Sequence, residues 1–412
     1  MENPKLALIP SGYKSGKVYS ILPVNGVGDF DFSRNTESSR VNKKGLIETV
    51  GNNVPRLDWL NSDCPSLSLE PQRTNLVQYS EDITQSIWNK KNINYDSNVI
   101  APSGGTNAFK IYPNTTFGEH YIEQSNLSTT QTTYSGSVFI KDGGTSVFEI
   151  IIVHVGIGSA ISRATFTITN GVVNFNTLGG VIQSVNVKEF ENGWYRCELK
   201  YNFSSSVSSH RIRVLPKNNA QYVGDNFSGV NVYGIQVEQG SYPTSYIKTI
   251  GSAVTRLIDN SHLLNQTLFT DYPFTVYAKA KIDAVGNTVF GLNNTSSNQY
   301  YLLFYFPNSS QVSVGRATIG FNDFDNYNFS YSVGDTIKVI ITFISEIEYK
   351  LYINGNEIAH VTNGTSIPFN HDDISLGQLR ITGDTGTRNS INEFRVYDRV
   401  LTEAEAIKLT TI

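Results

Sequence analysis

The sequence predicts an all-β protein with two antiparallel β-sandwiches after an irregular N-terminal section. Charged residues make up only 17% of the 412 residues, while the chain contains 23 Tyr, 22 Phe, 33 Gly and 41 Asn. Tyr, Phe, Val, Ile and Thr favour strands, and Asn and Gly favour turns. A mostly helical protein would be rich in Ala, Glu, Lys and Leu instead. Several segments also alternate apolar and polar residues, which is typical of strands with one buried and one solvated face.

Residues 1–84 form the first section, which has no sustained periodicity and is interrupted by many glycines and prolines. The pattern indicates short strands only at 18–22 and 46–50. We expect this section to lack a core of its own and to act as an arm and linker that packs on something else.

The second section, residues 85–250, alternates between short strand-like runs and turns. The alternating segments are 134–141, 193–203, 210–215 and 229–238. In the second of these, Tyr195 and Cys197 point one way while Arg196 and Glu198 point the other way. Strand signals at short, regular spacing predict a jelly roll or a related sandwich.

The third section, residues 251–412, follows a connector at 240–256 that is rich in glycine and hydroxyl side chains. Strands are predicted at 274–282, 337–344, 349–353 and 391–397. Asn354 and Gly355 predict a two-residue hairpin, because a type I′ turn needs positive φ at both positions. The pattern of this section therefore predicts a second sandwich.

A single convincing helix is predicted at 402–410. Thr402 and Glu405 have the spacing of a capping box, in which the hydroxyl accepts from the Glu405 amide while the Glu405 carboxylate reaches back to the Thr402 amide. We expect the helix to begin directly after Thr402.

Charge and cysteine content exclude several classes of function. The net charge is −4 and the pI is about 5.9, so no nucleic-acid groove is expected. Cys64 and Cys197 are too few and too far apart for a disulfide framework or a zinc site. The start lacks the pattern of a secretory signal, and the most apolar run, 148–155, is far too short for membrane insertion. We therefore expect a chain made in a cytoplasm.

Several motifs resemble structural proteins of tailed bacteriophages. Residues 67–88 read LSLEPQRTNLVQYSEDITQSIW, and residues 233–256 read YGIQVEQGSYPTSYIKTIGSAVTR. The latter, with GWYRC at 193–197, resembles the later strands of a carbohydrate-binding-module-like jelly roll in those proteins. Residues 391–409, INEFRVYDRVLTEAEAIKL, and the hairpin at 350–355 resemble laminin-G/concanavalin A-like domains.

This resemblance implies a structural component of a phage virion, such as a head fibre, a tail fibre or a capsid decoration. It implies an all-β chain with a virion-attachment arm at 1–84, a jelly roll at 85–250 and a concanavalin A-like sandwich at 251–412. The implied location is the virion surface, and the implied partners are two further copies in a homotrimer, other virion proteins through 1–84, and host-surface glycans.

No catalytic residue is predicted, and we expect the chain not to be an enzyme. A concanavalin A-like glycosidase needs two carboxylates close together on one strand face, with the spacing Glu-x-Asp-x-x-Glu. Glu346 and Glu348 alternate, as do Glu189 and Glu191, but neither pair has a third acid three residues later. The alternative that stays open is a polysaccharide-degrading tail-spike enzyme with carboxylates brought together from separate loops.

Sugar binding calls for aromatic rings that stack on a pyranose, with amides or carboxylates beside them. The stretches 299–306 and 321–331 combine these residue types, and the alternative is that many of their rings face the core. The predicted carbohydrate-binding residues are Tyr300, Tyr301, Tyr305 and Tyr327. Trp194 is the weaker candidate, because it precedes an alternating strand and is more typical of a packing residue.

Two loops contain residues that could bind calcium, at 371–373 and 383–386. The preference of Asp and Gly for tight turns explains both loops without a ligand. We therefore expect no metal and no cofactor.

Overall fold

The computed structural model describes residues 3–130, 132–155, 161–203, 209–218, 221–318, 321–378 and 388–412, without the side chains of 155, 297–300, 318 and 321–322. The described chain is nearly all β, with multiple antiparallel sheets, which confirms the predicted fold class. It divides into two compact units. The first unit comprises Met1–Arg40, Thr49–Gln72 and Leu257–Ile412, and the second comprises Val41–Glu48 and Arg73–Arg256.

The strands are numbered in chain order. The strands up to residue 75 are β1 Leu6–Leu8, β2 Tyr13–Lys14, β3 Lys17–Val18, β4 Phe30–Ser33, β5 Ser38–Val41, β6 Ile47–Val50, β7 Leu57–Asp58, β8 Ser66–Leu69 and β9 Arg73–Asn75. Those up to residue 239 are β10 Trp88–Lys91, β11 Ile93–Val99, β12 Ala108–Pro113, β13 Tyr121–Ser128, β14 Thr133–Gly143, β15 Val147–Val155, β16 Ile161–Thr169, β17 Val172–Leu178, β18 Ile182–Phe190, β19 Trp194–Asn202, β20 Ser209–Leu215 and β21 Gly229–Gln239. The remaining elements are β22 Val254–Arg256, β23 Asn260–Leu264, β24 Phe274–Ile282, β25 Asn287–Asn294, β26 Ser297–Asn308, β27 Gln311–Thr318, β28 Phe321–Asn328, β29 Thr336–Phe343, β30 Tyr349–Ile353, β31 Asn356–Val361, β32 Asp373–Leu376, β33 Asn389–Tyr397 and the helix α1 Glu403–Thr410.

The first unit is a sandwich of two antiparallel sheets. One sheet has the order β31-β30-β29-β24-β33-β8-β7, with β1 also paired to β33, and the other has the order β2-β3-β4-β23-β32-β25-β26-β27-β28. The side chains that alternate toward the space between the sheets form one continuous apolar core. The strands predicted at 274–282 and 349–353 have the same bounds in the structure.

The N-terminal residues contribute to this sandwich, whereas the sequence pattern indicates an irregular arm that packs on something else. Strands β1 and β8 pair with β33, and β4 pairs with β23. Leu6, Phe30 and Leu67 are fully buried in the same core as Phe394. Strands of two to four residues cannot close a sheet alone, so their backbone groups pair with the longer strands of the same unit.

A buried ion-pair network joins the early and late parts of the first unit. The Asp259 carboxylate accepts from Arg34 Nη1 at 2.9 Å and also from Arg56 Nη2. Arg56 Nη1 donates to Glu70 Oε2 at 2.7 Å, and all four side chains are at most 2% exposed. The two neighbouring carboxylates raise the pKa of Arg56 even though burial alone would lower it. Glu70, the first residue of the EPQRTNL motif at 70–76, is thus a structural residue.

The second unit is also a sandwich of two antiparallel sheets, ordered β10-β13-β20-β15-β16-β17 and β11-β12-β21-β14-β19-β18. Tyr195, Cys197 and Leu199 point into its core, as the alternation predicts. Trp88 and Trp194 are buried and donate their indole N–H groups to the Tyr79 and Ile100 carbonyl oxygens, respectively. Both rings are therefore packing residues.

Asn75 explains why the motifs at 67–88 and 233–256 occur together. Its Oδ1 accepts from the Val77 and Val237 amides, each at 3.1 Å, and its Nδ2 donates to the Ile247 carbonyl at 2.8 Å. A buried amide satisfied on both ends fixes one arrangement of these chain segments. The EPQRTNL motif therefore specifies packing in this chain.

Asparagine also sets the turns. Among the described residues, every non-glycine residue with positive φ is an asparagine except Tyr79. Asn354 and Gly355 have φ of 48° and 85° between β30 and β31, which confirms the predicted type I′ hairpin. The predicted helix is confirmed as α1, with both hydrogen bonds of the Thr402–Glu405 capping box present.

Candidate functional site

One face of the sheet β23-β32-β25-β26-β27-β28 combines aromatic rings with polar side chains. Along β26, Leu302 and Phe304 point into the core of the first unit, so Tyr301, Leu303 and Tyr305 lie on the opposite face. We call this the outer face. It combines an apolar strip on β26 to β28 with a polar strip on β23, β32 and β25.

The accessible part of the outer face is a pair of aromatic rings. Tyr305 and Phe324 contact edge to face, with centroids 5.9 Å apart and ring planes at 74°. Phe324 is 42% exposed, and Tyr305 is half-buried. The Tyr305 hydroxyl has no hydrogen-bond partner in the part of the chain that the structure describes. Edge-to-face packing fixes the rings and leaves their free faces for a ligand.

Gly315 leaves space that the side chains of Leu303 and Phe324 occupy. A Cβ at this position would be 2.7 Å from Leu303 Cγ and 2.8 Å from Phe324 Cε1. Contacts this short do not occur between real atoms, so any side chain here would displace the ring. The glycine is thus required by the close approach of neighbours and not by its backbone angles.

The polar strip is organised around the Asp373 carboxylate, which is completely buried. His262 Nε2 lies 2.9 Å from Gln378 Nε2, which can only donate, so this ring nitrogen accepts and the proton is on Nδ1. Nδ1 then donates to Asp373 at 3.3 Å. Both ring nitrogens of His262 are therefore engaged within the protein.

Asn293 connects the polar strip to the rings. The sheet register places it directly between Asp373 on β32 and Tyr301 on β26. Its Nδ2 donates to Ser375 Oγ at 2.9 Å, while its buried Oδ1 has no partner among the described residues. An unsatisfied buried amide oxygen is costly unless a water or a ligand hydroxyl supplies the missing donor.

The predicted sugar-binding tyrosines do not all lie on this face. Tyr301 and Tyr305 do, although Tyr301 is only 6% exposed. Tyr327 points to the other side of its sheet, where its hydroxyl lies 2.5 Å from the Tyr349 hydroxyl next to the core. The side chain of Tyr300 lies outside the described part of the chain.

The sequence pattern did not predict that His262, Asn293 and Asp373 form one cluster, and it did not single out Phe324. The alternation in the stretch 321–331 could have placed Phe324 on the face opposite Tyr327. The polar residues come from three strands paired across long sequence separations, and no local pattern reveals such pairing.

The carboxylates considered for catalysis are engaged in local contacts. Glu346 Oε2 accepts from Ser366 Oγ at 2.6 Å, and Glu348 Oε1 lies 2.9 Å from His360 Nε2. The geometry gives no reason to assign them a catalytic role.

Two further carboxylates, Asp323 and Asp325, share Arg316 on the inner side of β28. Arg316 Nη2 donates to them at 3.0 and 2.7 Å, and the Tyr349 hydroxyl donates to Asp325 at 2.5 Å. Burial and the bond to Asp325 raise the pKa of Tyr349 well above its ordinary value. Asp325 thus accepts from both a guanidinium and a phenol, and these contacts hold it within the protein.

The structure describes the first of the two candidate calcium loops, residues 371–373. Asp372 accepts from the Thr295 amide at 2.7 Å and from its hydroxyl at 2.5 Å, which is ordinary turn capping. Residues 383–386 lie outside the described residues. Within the described ranges, no group of three His, Cys, Asp or Glu side chains could hold a metal ion.

Comparison with known families fits the architecture of the first unit. Residues 258–406 match the family model of the concanavalin A-like lectin/glucanases superfamily, Laminin_G_3. Residues 258–406 are a concanavalin A-like domain. The outer-face cluster lies within it, and the match covers less than half of the chain.

Solved structures show only remote likeness. The sialidase CBM40 of Ruminococcus gnavus bound to α2,3-sialyllactose is 20% identical, over 34% of this chain and 84% of that chain, with a TM-score of 0.31. Domain 4 of the arabinanase AbnA of Geobacillus stearothermophilus with arabinotriose is 15% identical, over 39% and 77%, with a TM-score of 0.31. Likenesses this weak carry no information about the ligand.

No curated protein matches the chain. Among the described residues, none of the helices has the length and apolar character needed to cross a membrane.

Proposed function

We propose that the concanavalin A-like domain binds glycans through its outer face. The observation that carries the proposal is the juxtaposition of the Tyr305–Phe324 ring pair with the Asn293–Asp373 strip on one rigid sheet. The rings offer apolar plates to the C–H face of a pyranose. The Tyr305 hydroxyl offers a hydrogen bond that no described residue takes up, and the Asn293 amide oxygen is an unpaired acceptor buried in the adjoining strip.

The proposed role is binding without cleavage. General acid–base catalysis needs a group that can exchange a proton with the substrate. His262 uses both ring nitrogens within the protein, and the carboxylates described above are tied to Arg316 or to local partners. The test is incubation with bacterial surface polysaccharide and measurement of reducing ends. Steady release that is lost in Glu346→Gln would support the tail-spike alternative.

A printed glycan array probed with the labelled full chain tests the binding proposal. We expect binding to a subset of glycans and a loss of about tenfold or more in Tyr305→Ala, because one ring face and one hydroxyl are removed. Tyr19→Ala is the matched control, since Tyr19 is similarly exposed in the same unit but lies outside the outer face. Equal binding by both variants and the unmodified chain would refute the assignment.

We further propose that the chain is displayed on a phage particle as a homotrimer, with the N-terminal section facing other virion proteins. The support is the resemblance of 67–88 and 233–256 to phage proteins. Exposed apolar side chains at Ile21, Val24 and Val27 provide an attachment surface within residues 1–84, with Val24 89% exposed. Light scattering tests the oligomeric state, and imaging of antibody-labelled particles tests the location. A monomer absent from particles would contradict this proposal.

A further inference from the structure

The second unit presents an aromatic surface that the outer-face site does not explain. Phe227 is 70% exposed. It lies beside the outward-facing side chains of β11 and β12, including Tyr112, Lys110 and Asn94. We call Phe227, Tyr112, Lys110, Asn94 and Asn226 the Phe227 surface.

The backbone that carries Phe227 is held in a turn. Asp225 Oδ1 accepts from the amides of Phe227 at 3.0 Å and Ser228 at 2.8 Å. These hydrogen bonds, chiefly those from Ser228, keep the pKa of Asp225 below its ordinary value. Asn226, which lies between Asp225 and Phe227, adopts a φ of 59°, a conformation that asparagine tolerates better than most residues. A turn that is already formed loses little conformational entropy when a ligand stacks on the ring it carries.

Lys110 lies between two rings. Its ammonium is 4.5 Å from the centroid of Phe227 and 5.8 Å from that of Tyr112. It forms no ion pair within the described residues, even though Asp96 lies directly opposite in the strand register. Asp96 instead accepts from the Tyr112 hydroxyl at 3.1 Å. The ammonium protons are therefore directed at the aromatic surface and can donate to a ligand placed there.

Two amides complete the surface. Asn94 Nδ2 donates to Asn226 Oδ1 at 2.6 Å, which leaves Asn94 Oδ1 and Asn226 Nδ2 as an exposed acceptor and an exposed donor. Such alternating donors and acceptors around a ring suit vicinal hydroxyl groups.

We propose that the Phe227 surface is a second, independent binding site for a neutral saccharide. The single ammonium of Lys110 is accompanied by the carboxylates of Asp96 and Asp225, so the area has no net positive charge to select an anionic ligand. An anionic membrane is disfavoured for the same reason. The combination of one free ring face with amide and ammonium donors matches a sugar ring, which has an apolar C–H face and a hydroxyl rim.

Ligand-observed saturation-transfer NMR on the full chain tests this site at low affinity. The probes are maltohexaose, mannohexaose and a β-1,4-galacto-oligosaccharide, with oligogalacturonate as the anionic comparison. All measurements use Tyr305→Ala as the parent, so that the outer-face site is impaired. Phe227→Ala is then compared with Phe117→Ala, because Phe117 is 66% exposed in a neighbouring loop and has no ring or cation contact among the described residues.

We expect at least one neutral probe to give a signal in the parent that falls about tenfold with Phe227→Ala and is unchanged with Phe117→Ala. Both rings are exposed, so neither substitution should disturb the core. Equal melting temperatures of the parent and the two variants show that each variant is folded. The inference is overturned if no neutral probe gives a Phe227-dependent signal, or if only oligogalacturonate does.

The experiments distinguish failure of the outer-face site from failure of the Phe227 surface. Loss of array binding in Tyr305→Ala without any Phe227-dependent signal leaves the outer-face site standing and removes this one. A Phe227-dependent signal with no effect of Tyr305→Ala on the array supports the Phe227 surface and refutes the outer-face site.

Discussion

Neutralising Asp259 tests whether the N-terminal strands belong energetically to the first sandwich. Asp259→Asn keeps the shape of the side chain but removes the charge that faces Arg34 and Arg56. All three side chains are at most 1% exposed, so solvent cannot compensate the two guanidinium groups. Removing one partner of a buried ion pair typically costs about 3–5 kcal/mol. We expect the free energy of unfolding of the first unit to fall by about that amount.

The assay is urea unfolding with hydrogen exchange read by mass spectrometry, so that each unit is followed by its own peptides. Asp259→Asn is expected to raise exchange in β1, β8 and β33 together, because β1 and β8 both pair with β33. Peptides from β14 and β19 of the second unit serve as the internal reference.

Asp31→Asn is the matched control. The Lys17–Asp31 pair is formed at 2.7 Å but is 36% and 54% exposed, and exposed pairs contribute about 0–1 kcal/mol. If Asp259→Asn costs no more than Asp31→Asn, the buried network does not hold the N-terminal strands in place, and the reasoning is refuted.

Single features of the chain support three more predictions. Thr402→Ala should lower stability by about 1 kcal/mol in denaturant unfolding, because the Glu405 amide loses its acceptor; no change would show that the cap is not needed. Gly315→Ala should weaken glycan binding in Tyr305-dependent array assays by displacing Phe324, and unchanged binding would contradict the close-approach argument. Burial lowers the pKa of His371 to about 4, so the unfolded chain alone takes up this proton as the pH falls below about 6.5. Stability should therefore decrease from about pH 6.5 to about pH 4, by up to about 1.4 kcal/mol per unit, and His371→Gln should flatten that slope in unfolding series across this range.

Local patterns were enough to predict much of the fold. The alternation at 274–282 and the Asn354-Gly355 turn act over a few residues, and both features appear in the structure with the expected bounds. The position of the N-terminal strands could not be predicted, because β1 and β8 find their partner more than 300 residues later in β33. Short strands carry too little periodicity to reveal such a pairing.

The candidate site was only partly predictable for a related reason. Period two shows that Tyr305 and Phe304 face opposite ways, but both are aromatic, so the pattern does not tell which one faces the core. The same ambiguity led to Tyr327 being grouped with Tyr305, although they lie on opposite sides of the sheet. Asn293 and Asp373 become neighbours only through the β25–β32 pairing.

The most direct test of glycan binding by the outer face is a crystal structure of the full chain grown with the tightest-binding glycan from the array. We predict a sugar ring stacked on Tyr305 or Phe324. A glycan bound elsewhere on the domain, with the ring pair bare, would contradict it.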